Sequence, residues 1–267
     1  MKRIAVLLLL LLLTGCANEP PQYDRPVIAL VDTGVSTVAI DPSCLLPGHN
    51  YVSPCEDTED RIDHGTAVAS TILGCESAGL EGLAANCCYV VPLVIADADQ
   101  ASVTPETLAQ AIRDAVDVYG ADIINVSLGI KKDEDVLKKA VDYAARQGAL
   151  VVAAAGNDGG ADYVYPAAYE TVLAVGSHDR NNRVSDFSQR NDTVDLLAPG
   201  EDVWFASRSG KTYGARGTSY ATGYVSAAAA VILWNDQNMT ADEVRQKLLS
   251  DAEEADGWLI MKVDMIG

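Results

Sequence analysis

The sequence predicts an α/β domain, a three-layer sandwich around a mostly parallel central sheet. Two observations carry that expectation. Short apolar runs recur along the chain without alternating in polarity, as suits parallel strands buried on both faces. Between them stand helices with readable starts and stops, so that strand and helix alternate. At 267 residues, 49% of them hydrophobic and 21% charged, the chain has ample material for a core and reads as globular rather than disordered.

The first apolar run, Val27 to Val31, ends in Asp32-Thr33-Gly34, a strand running into a turn. Comparable runs follow at Tyr89 to Ile95, Ile123 to Val126, Leu150 to Ala154 and Val172 to Val175. Thr104 caps a helix that has Pro105 in its first turn; Leu108, Ile112, Ala115, Val116 and Tyr119 mark its buried face, and Gly120 stops it. A second helix is expected from Asp133 to Gln147, with acids first and Lys138 and Lys139 later, as the macrodipole prefers, and Gly148 ending it. After Val175 the pattern thins into turns and short strands near Val194 to Leu197 and Val203 to Ala206. An alanine-rich helix follows Ser219, another spans Thr240 to Ser250, and Trp258 to Val263 reads as a last strand. No repeat or interdomain linker interrupts the series, so residues 26–267 read as one domain.

Ahead of it, Lys2 and Arg3 precede the apolar run Ile4 to Leu13, too short to span a bilayer as a helix. The run ends in Leu13-Thr14-Gly15-Cys16, which resembles a bacterial lipobox. That resemblance implies a signal peptide over 1–15, a lipid on Cys16 and a short tether over 16–25 carrying Pro20 and Pro21. It implies a protein anchored in the bacterial cell envelope, and on the outer membrane if the cell is Gram-negative, because Ala17 rather than Asp follows the cysteine. Five cysteines remain, and an exported compartment permits disulfides. A Cys44 to Cys55 bridge is expected, with a second from Cys75 to Cys87 or Cys88 and one thiol left over. Without paired C-x-x-C motifs a zinc site is not expected. The net charge of −19 argues against nucleic acid as a partner, since phosphate binding needs clustered Lys and Arg. An acidic surface of this kind mainly keeps a protein soluble.

The chemistry begins at Gly217-Thr218-Ser219-Tyr220-Ala221-Thr222-Gly223, directly ahead of the small apolar run that ends at Leu233. A serine at a helix start is either a cap or a nucleophile, because unpaired N–H groups and the positive dipole end favour developing negative charge there. Asp32, Ser127 and Asn157 each lie just past an expected strand, where ligands bind in such folds. Of the three histidines, only His64 stands in a helix-start context, His64-Gly65-Thr66-Ala67-Val68-Ala69-Ser70, with Gly65 allowing close backbone approach. Asp32, His64 and Ser219 in that chain order resemble the subtilases, the subtilisin-like serine peptidases. The likeness extends through Ile124-Asn125-Val126-Ser127-Leu128-Gly129, Ala153-Ala154-Ala155-Gly156-Asn157, Tyr165-Pro166-Ala167, Val175-Gly176-Ser177, Phe187-Ser188 and Leu197-Ala198-Pro199-Gly200.

The resemblance implies a subtilisin-like fold over 26–267 and a serine endopeptidase acting on peptide or protein substrates. Ser219 is then the nucleophile, His64 its general base and Asp32 the group that orients the imidazole. Asn157 is the oxyanion donor. Ser127, Leu128 and Gly129 are implied as one wall of the pocket for the residue preceding the scissile bond, Ala154, Ala155 and Gly156 as the other, and Val164 as its floor. A branched floor implies small or medium apolar side chains rather than Phe or Trp. Gln100 to Val103 is expected as an edge strand pairing with extended substrate. The chain departs from the family in three places. Tyr220-Ala221-Thr222-Gly223 replaces Met-Ala-Ser-Pro, which puts a flexible Gly223 close to the nucleophile. Ala67 stands where a second histidine is usual. Only Ala17 to Arg25 separate the lipobox from the first strand, so the domain is expected to fold unaided or with a separate inhibitor or folding partner. Calcium is common in the family, but Glu76 to Gly82 carries no assignable ligand cluster, so neither metal nor cofactor is assigned. The competing reading is a peptide-binding or scaffold lipoprotein that keeps the fold and has lost turnover through altered seating of Ser219.

Overall fold

The computed structural model describes residues 20–97 and 103–261. The signal segment with Cys16, residues 100–102 of the expected edge strand and the end of the expected last strand lie outside them. In chain order the strands are β1 (Val27–Asp32), β2 (His49–Asn50), β3 (Gly74–Cys75), β4 (Leu80–Glu81), β5 (Tyr89–Val94), β6 (Ile123–Val126) and β7 (Leu150–Ala154). They continue with β8 (Leu173–His178), β9 (Leu196–Pro199), β10 (Val203–Ala206), β11 (Thr212–Ala215), β12 (Glu253–Ala255) and β13 (Trp258–Ile260). The helices are α1 (His64–Leu73), α2 (Pro105–Asp117), α3 (Asp135–Arg146), α4 (Thr218–Asn235) and α5 (Ala241–Asp251).

Among the described residues, nine strands form the central sheet in the order β12-β13-β9-β8-β7-β6-β1-β5-β2. All its pairings are parallel except β12 with β13. Period-two side-chain alternation sends Ile28 and Leu30 of β1 to one face and Val27, Ala29 and Val31 to the other. The first face packs on α1, α4 and α5 and the second on α2 and α3, which gives the expected three layers. Because both faces are covered, β1, β7 and β8 are buried along their whole length, which is why their sequences do not alternate. Helix α4 is buried on nearly every side, and its run Ala227 to Ala230 brings it close to the sheet across β6 to β9.

Helix ends follow local chemistry. The Thr104 hydroxyl caps α2 by accepting from Thr107 N, and Thr240 with Glu243 forms a reciprocal capping box on α5. Helix α3 starts at Asp135 rather than Asp133, because Glu134 is extended and Asp133 accepts from the Tyr169 hydroxyl instead. Strand β8 starts at Leu173, since Val172 still closes a turn onto Tyr169. The expected disulfides do not form: Cys44, Cys55, Cys75, Cys87 and Cys88 are all free thiols. Cys44 is buried while Cys55 is exposed, and Cys88 lies in the core, where burial pushes its thiol far above the ordinary range.

Candidate active site

Asp32 is the last residue of β1, Ser127 follows β6 and Asn157 follows β7, so all three stand at the carboxyl edge of the parallel sheet. Helix α1 begins with His64 and α4 begins one residue before Ser219, so both helix N-termini point at the same edge. Asp32 Oδ1 lies 2.7 Å from His64 Nδ1 and accepts from Thr33 N at 2.7 Å. The carboxylate is buried, whereas the imidazole keeps 31% of its side chain exposed, so one end of the pair is dry and the other faces solvent. The charge of Asp32 holds the imidazolium above the ordinary histidine range against the opposing effect of burial, with smaller help from Asp60. Gly65 is required by packing here: an added Cβ would stand 3.1 Å from Gly34 N and 3.2 Å from Asp32 Oδ1.

Ser219 does not cap its helix. Gly217 occupies the cap position, and Ser219 Oγ donates to the Ser127 carbonyl at 2.8 Å while Ser127 Oγ donates back to the Ser219 carbonyl at 3.1 Å. Asn125 and Ser226 extend this reciprocal pair into the core, through Asn125 Nδ2 to Ser127 Oγ at 2.7 Å and Ser226 Oγ to Asn125 Oδ1 at 2.8 Å. Asn157 replaces the missing cap from a distance: its Oδ1 accepts from Thr218 N at 2.8 Å and from Thr218 Oγ1 at 3.0 Å. With the oxygen end committed to donors, the amide of this exposed residue turns Nδ2 outward, beside Gly217. Ser219 N, at the second helical position, has no carbonyl a turn earlier to bond.

The two expected pocket walls meet on one side chain. Ile130 and Tyr165 exchange backbone hydrogen bonds of 2.8 Å, which brings Val164 under both walls. A Cβ on Gly129 would overlap Val164 Cγ1, and one on Gly156 would stand 2.8 Å from Val164 Cγ2. Of the wall residues, Ser127, Ala154 and Ala155 are buried, Leu128 and Gly156 are half-buried and Gly129 is exposed.

Two residues of the site gave no signal in the sequence, and a third has a different role from the one expected. Tyr220 stacks on Phe205 at 4.0 Å between ring centroids and lies 5.8 Å from the His64 ring, closing the floor beneath the imidazole. Asp60 is buried and accepts from Thr33, Ile62, Asp63 and Thr66. Gly223 is a contact residue and not a loose hinge: an added Cβ would overlap Thr71 Oγ1 and stand 3.0 Å from Val68 Cγ1, since α4 crosses α1 there. The expected looser seating of Ser219 therefore loses its physical ground. Gly223→Val is expected to lower stability by about 1–3 kcal/mol through overpacking, read as a lower urea midpoint. Unchanged unfolding would show that α1 yields freely. Among the described residues no group of three or more His, Cys, Asp or Glu side chains is placed to hold a metal ion.

Residues 24–261 match the subtilase family. The chain is 36% identical over 233 residues to a thermophilic serine proteinase of Bacillus sp. (strain AK1), covering 86% of this chain and 57% of that protein. It is 36% identical over 229 residues to subtilisin BL of Lederbergia lenta, covering 84% of this chain and 82% of that protein. Among solved structures it resembles a cold-adapted subtilisin-like serine proteinase, with a TM-score of 0.80, 27% identity and 88% of each chain covered. The chain thus spans little more than half the length of the first of these relatives.

Proposed function

The chain belongs to the subtilase family, and from that premise we propose that it is a serine endopeptidase whose working residues are Asp32, His64, Ser219 and Asn157. The observation that carries the reading is the 2.7 Å Asp32–His64 bond, with Ser219 at the start of α4 and the Asn157 side chain held on that same helix start. With Nδ1 bonded to Asp32, Nε2 is the nitrogen left to take the Ser219 proton. In the resting geometry that proton points at the Ser127 carbonyl, so attack requires it to turn from there toward His64 Nε2. Ser219 Oγ then adds to the scissile carbonyl, and the oxyanion falls between Asn157 Nδ2 and Ser219 N. The imidazolium returns its proton to the leaving amine, and water, activated by the same histidine, hydrolyses the acyl-enzyme. A fluorophosphonate label that attaches to the wild type and not to Ser219→Ala supports this reading. Absence of both label and cleavage would leave the fold with a binding role only.

Val164 sets the expected specificity. Its two methyl groups fill the space between the glycines of both walls, so the pocket accepts small or medium apolar side chains. Val164→Gly should raise kcat/KM for Phe relative to Ala before the scissile bond by about tenfold or more on a peptide panel. A wild type that already cleaves fastest after Phe would refute this assignment.

We further propose that Cys16 carries a lipid and holds the peptidase at the bacterial cell envelope, facing peptide or protein substrates. The basic, apolar and Leu13-Thr14-Gly15-Cys16 order supports it. Partition of the wild type into detergent, and its loss on Cys16→Ala, tests the anchor.

A further inference from the structure

Asp60 is a second buried carboxylate behind the site, 4% exposed, and the span from it to His64 is held by its own hydrogen bonds. Its Oδ1 accepts from Thr33 Oγ1 at 3.0 Å, Ile62 N at 2.9 Å and Asp63 N at 3.0 Å. Its Oδ2 accepts from Thr66 N at 2.8 Å and Thr66 Oγ1 at 2.6 Å. Each bond fixes something that His64 depends on. Thr66 N is one of the unpaired donors of the first turn of α1, and Asp63, the cap residue, makes no side-chain cap bond, so Asp60 caps the helix in its place. Asp63 sits at φ +86°, a conformation an L residue holds only when its surroundings impose it, and its N–H bond to Asp60 is part of that imposition. Thr33 Oγ1 gives its proton to Asp60 and so turns a lone pair to Gly65 N at 2.9 Å, while Thr33 N bonds Asp32. One threonine thus ties the residue after His64 to the residue before it in β1, Asp32, with Asp60 setting its orientation.

We propose that Asp60 is a positioning residue for His64: through Thr33, Asp63 and Thr66 it fixes the imidazole against Asp32. The proposal rests on His64 being the general base. Against the imidazole stand Asp32 from β1 and the Tyr220 ring from α4, with Asp60 behind them through the bonds above; Asp63, the residue before His64, is held by Arg208 N at 2.7 Å, with Arg208 Nε 3.9 Å away and the guanidinium bonded to the Arg61 carbonyl. Of these, Asp32 and Asp60 both favour the protonated ring.

Two substitutions separate geometry from charge. Asp60→Asn removes the charge and also turns an amide nitrogen toward the donors on one side of the carboxylate, whereas Thr33→Val removes the Thr33 link and leaves the charge, so the difference between them isolates the charge. In the Ser219→Ala protein, where no turnover is needed, NMR titration of the His64 ring should show a midpoint lower by about 0.5 pH units or more in Asp60→Asn, and little change in Thr33→Val. In the active protein both substitutions should lower kcat about tenfold or more with KM within about twofold, because a displaced base affects the chemical step rather than substrate binding. A folded Asp60→Asn with the wild-type midpoint and kcat overturns the proposal. Should Asp60→Asn fail to fold, Thr33→Val decides: wild-type kcat there overturns it, and a loss confined to kcat upholds it. A wild type that cleaves nothing while the midpoint still falls in Asp60→Asn counts against the peptidase reading and leaves the Asp60–His64 coupling standing.

Discussion

Ser219→Ala is expected to lower kcat about 10⁶-fold with KM nearly unchanged, the magnitude being the one known for loss of the nucleophile in subtilisin. The direction follows from the geometry: in the proposed mechanism Ser219 Oγ is the attacking atom, and its loss leaves the contacts of Gly129 and Gly156 with Val164 in place. What the variant loses structurally is one hydrogen bond to the Ser127 carbonyl, worth about 1 kcal/mol, while the reverse bond from Ser127 Oγ to the Ser219 carbonyl stays. Stability should therefore hardly move while turnover collapses. His64→Ala should cost about as much, and the double substitution little more than either, because base and nucleophile act as one unit. Steady-state kinetics on a small-residue peptide substrate, with unfolding curves for each variant, checks all three. Retention of more than about 1% of kcat by folded Ser219→Ala would remove Ser219 from the mechanism.

The fold and the placement of the candidate site residues were legible because their determinants are local. A buried parallel strand writes itself as an unbroken apolar run, and Asp32, Ser127 and Asn157 each follow such a run within a few residues. Helix α1 announces His64 through Gly65, whose missing side chain the close approach of Gly34 and Asp32 demands. Asp60 was not legible for the opposite reason: it stands in Glu56-Asp57-Thr58-Glu59-Asp60, where nothing in the order of acids tells the one that turns inward from those that stay in water. Gly223 read as flexibility, because the contact that requires it comes from Thr71 and Val68, far earlier in the chain. Tyr220 was hidden likewise, since its partner Phe205 lies on the β10–β11 hairpin. The cysteine pairing failed because sequence spacing carries no burial, and Cys44 and Cys55 differ in just that.

Asp32→Asn is expected to lower kcat about 10⁴-fold while leaving the fold intact. Asp32 Oδ1 accepts both from Thr33 N and from His64 Nδ1, and Oδ2 is buried without a hydrogen-bond partner among the described residues. An asparagine cannot match both places. With its amide nitrogen toward His64 it meets two donors, and the imidazole must move the Nδ1 proton to Nε2, the nitrogen that has to receive the Ser219 proton. With its oxygen there, a buried amide N–H occupies the Oδ2 position with no acceptor, and the charge that supports the imidazolium is gone in either case. The pH profile carries the same argument with a definite sign. Asp32 is the largest cause raising the His64 value, so the wild-type acid limb of kcat/KM should lie above the ordinary histidine range, with activity lost as pH falls through it. Removing that charge leaves burial, which opposes the protonated ring, and the limb should move to lower pH even as the plateau drops. A folded Asp32→Asn variant with the wild-type plateau, or a reduced plateau with an unmoved acid limb, would show that His64 is governed by some other group. Asp60 is the second source the structure provides, so the pair Asp32→Asn and Asp60→Asn should shift the limb in the same direction by unequal amounts, the larger with Asp32.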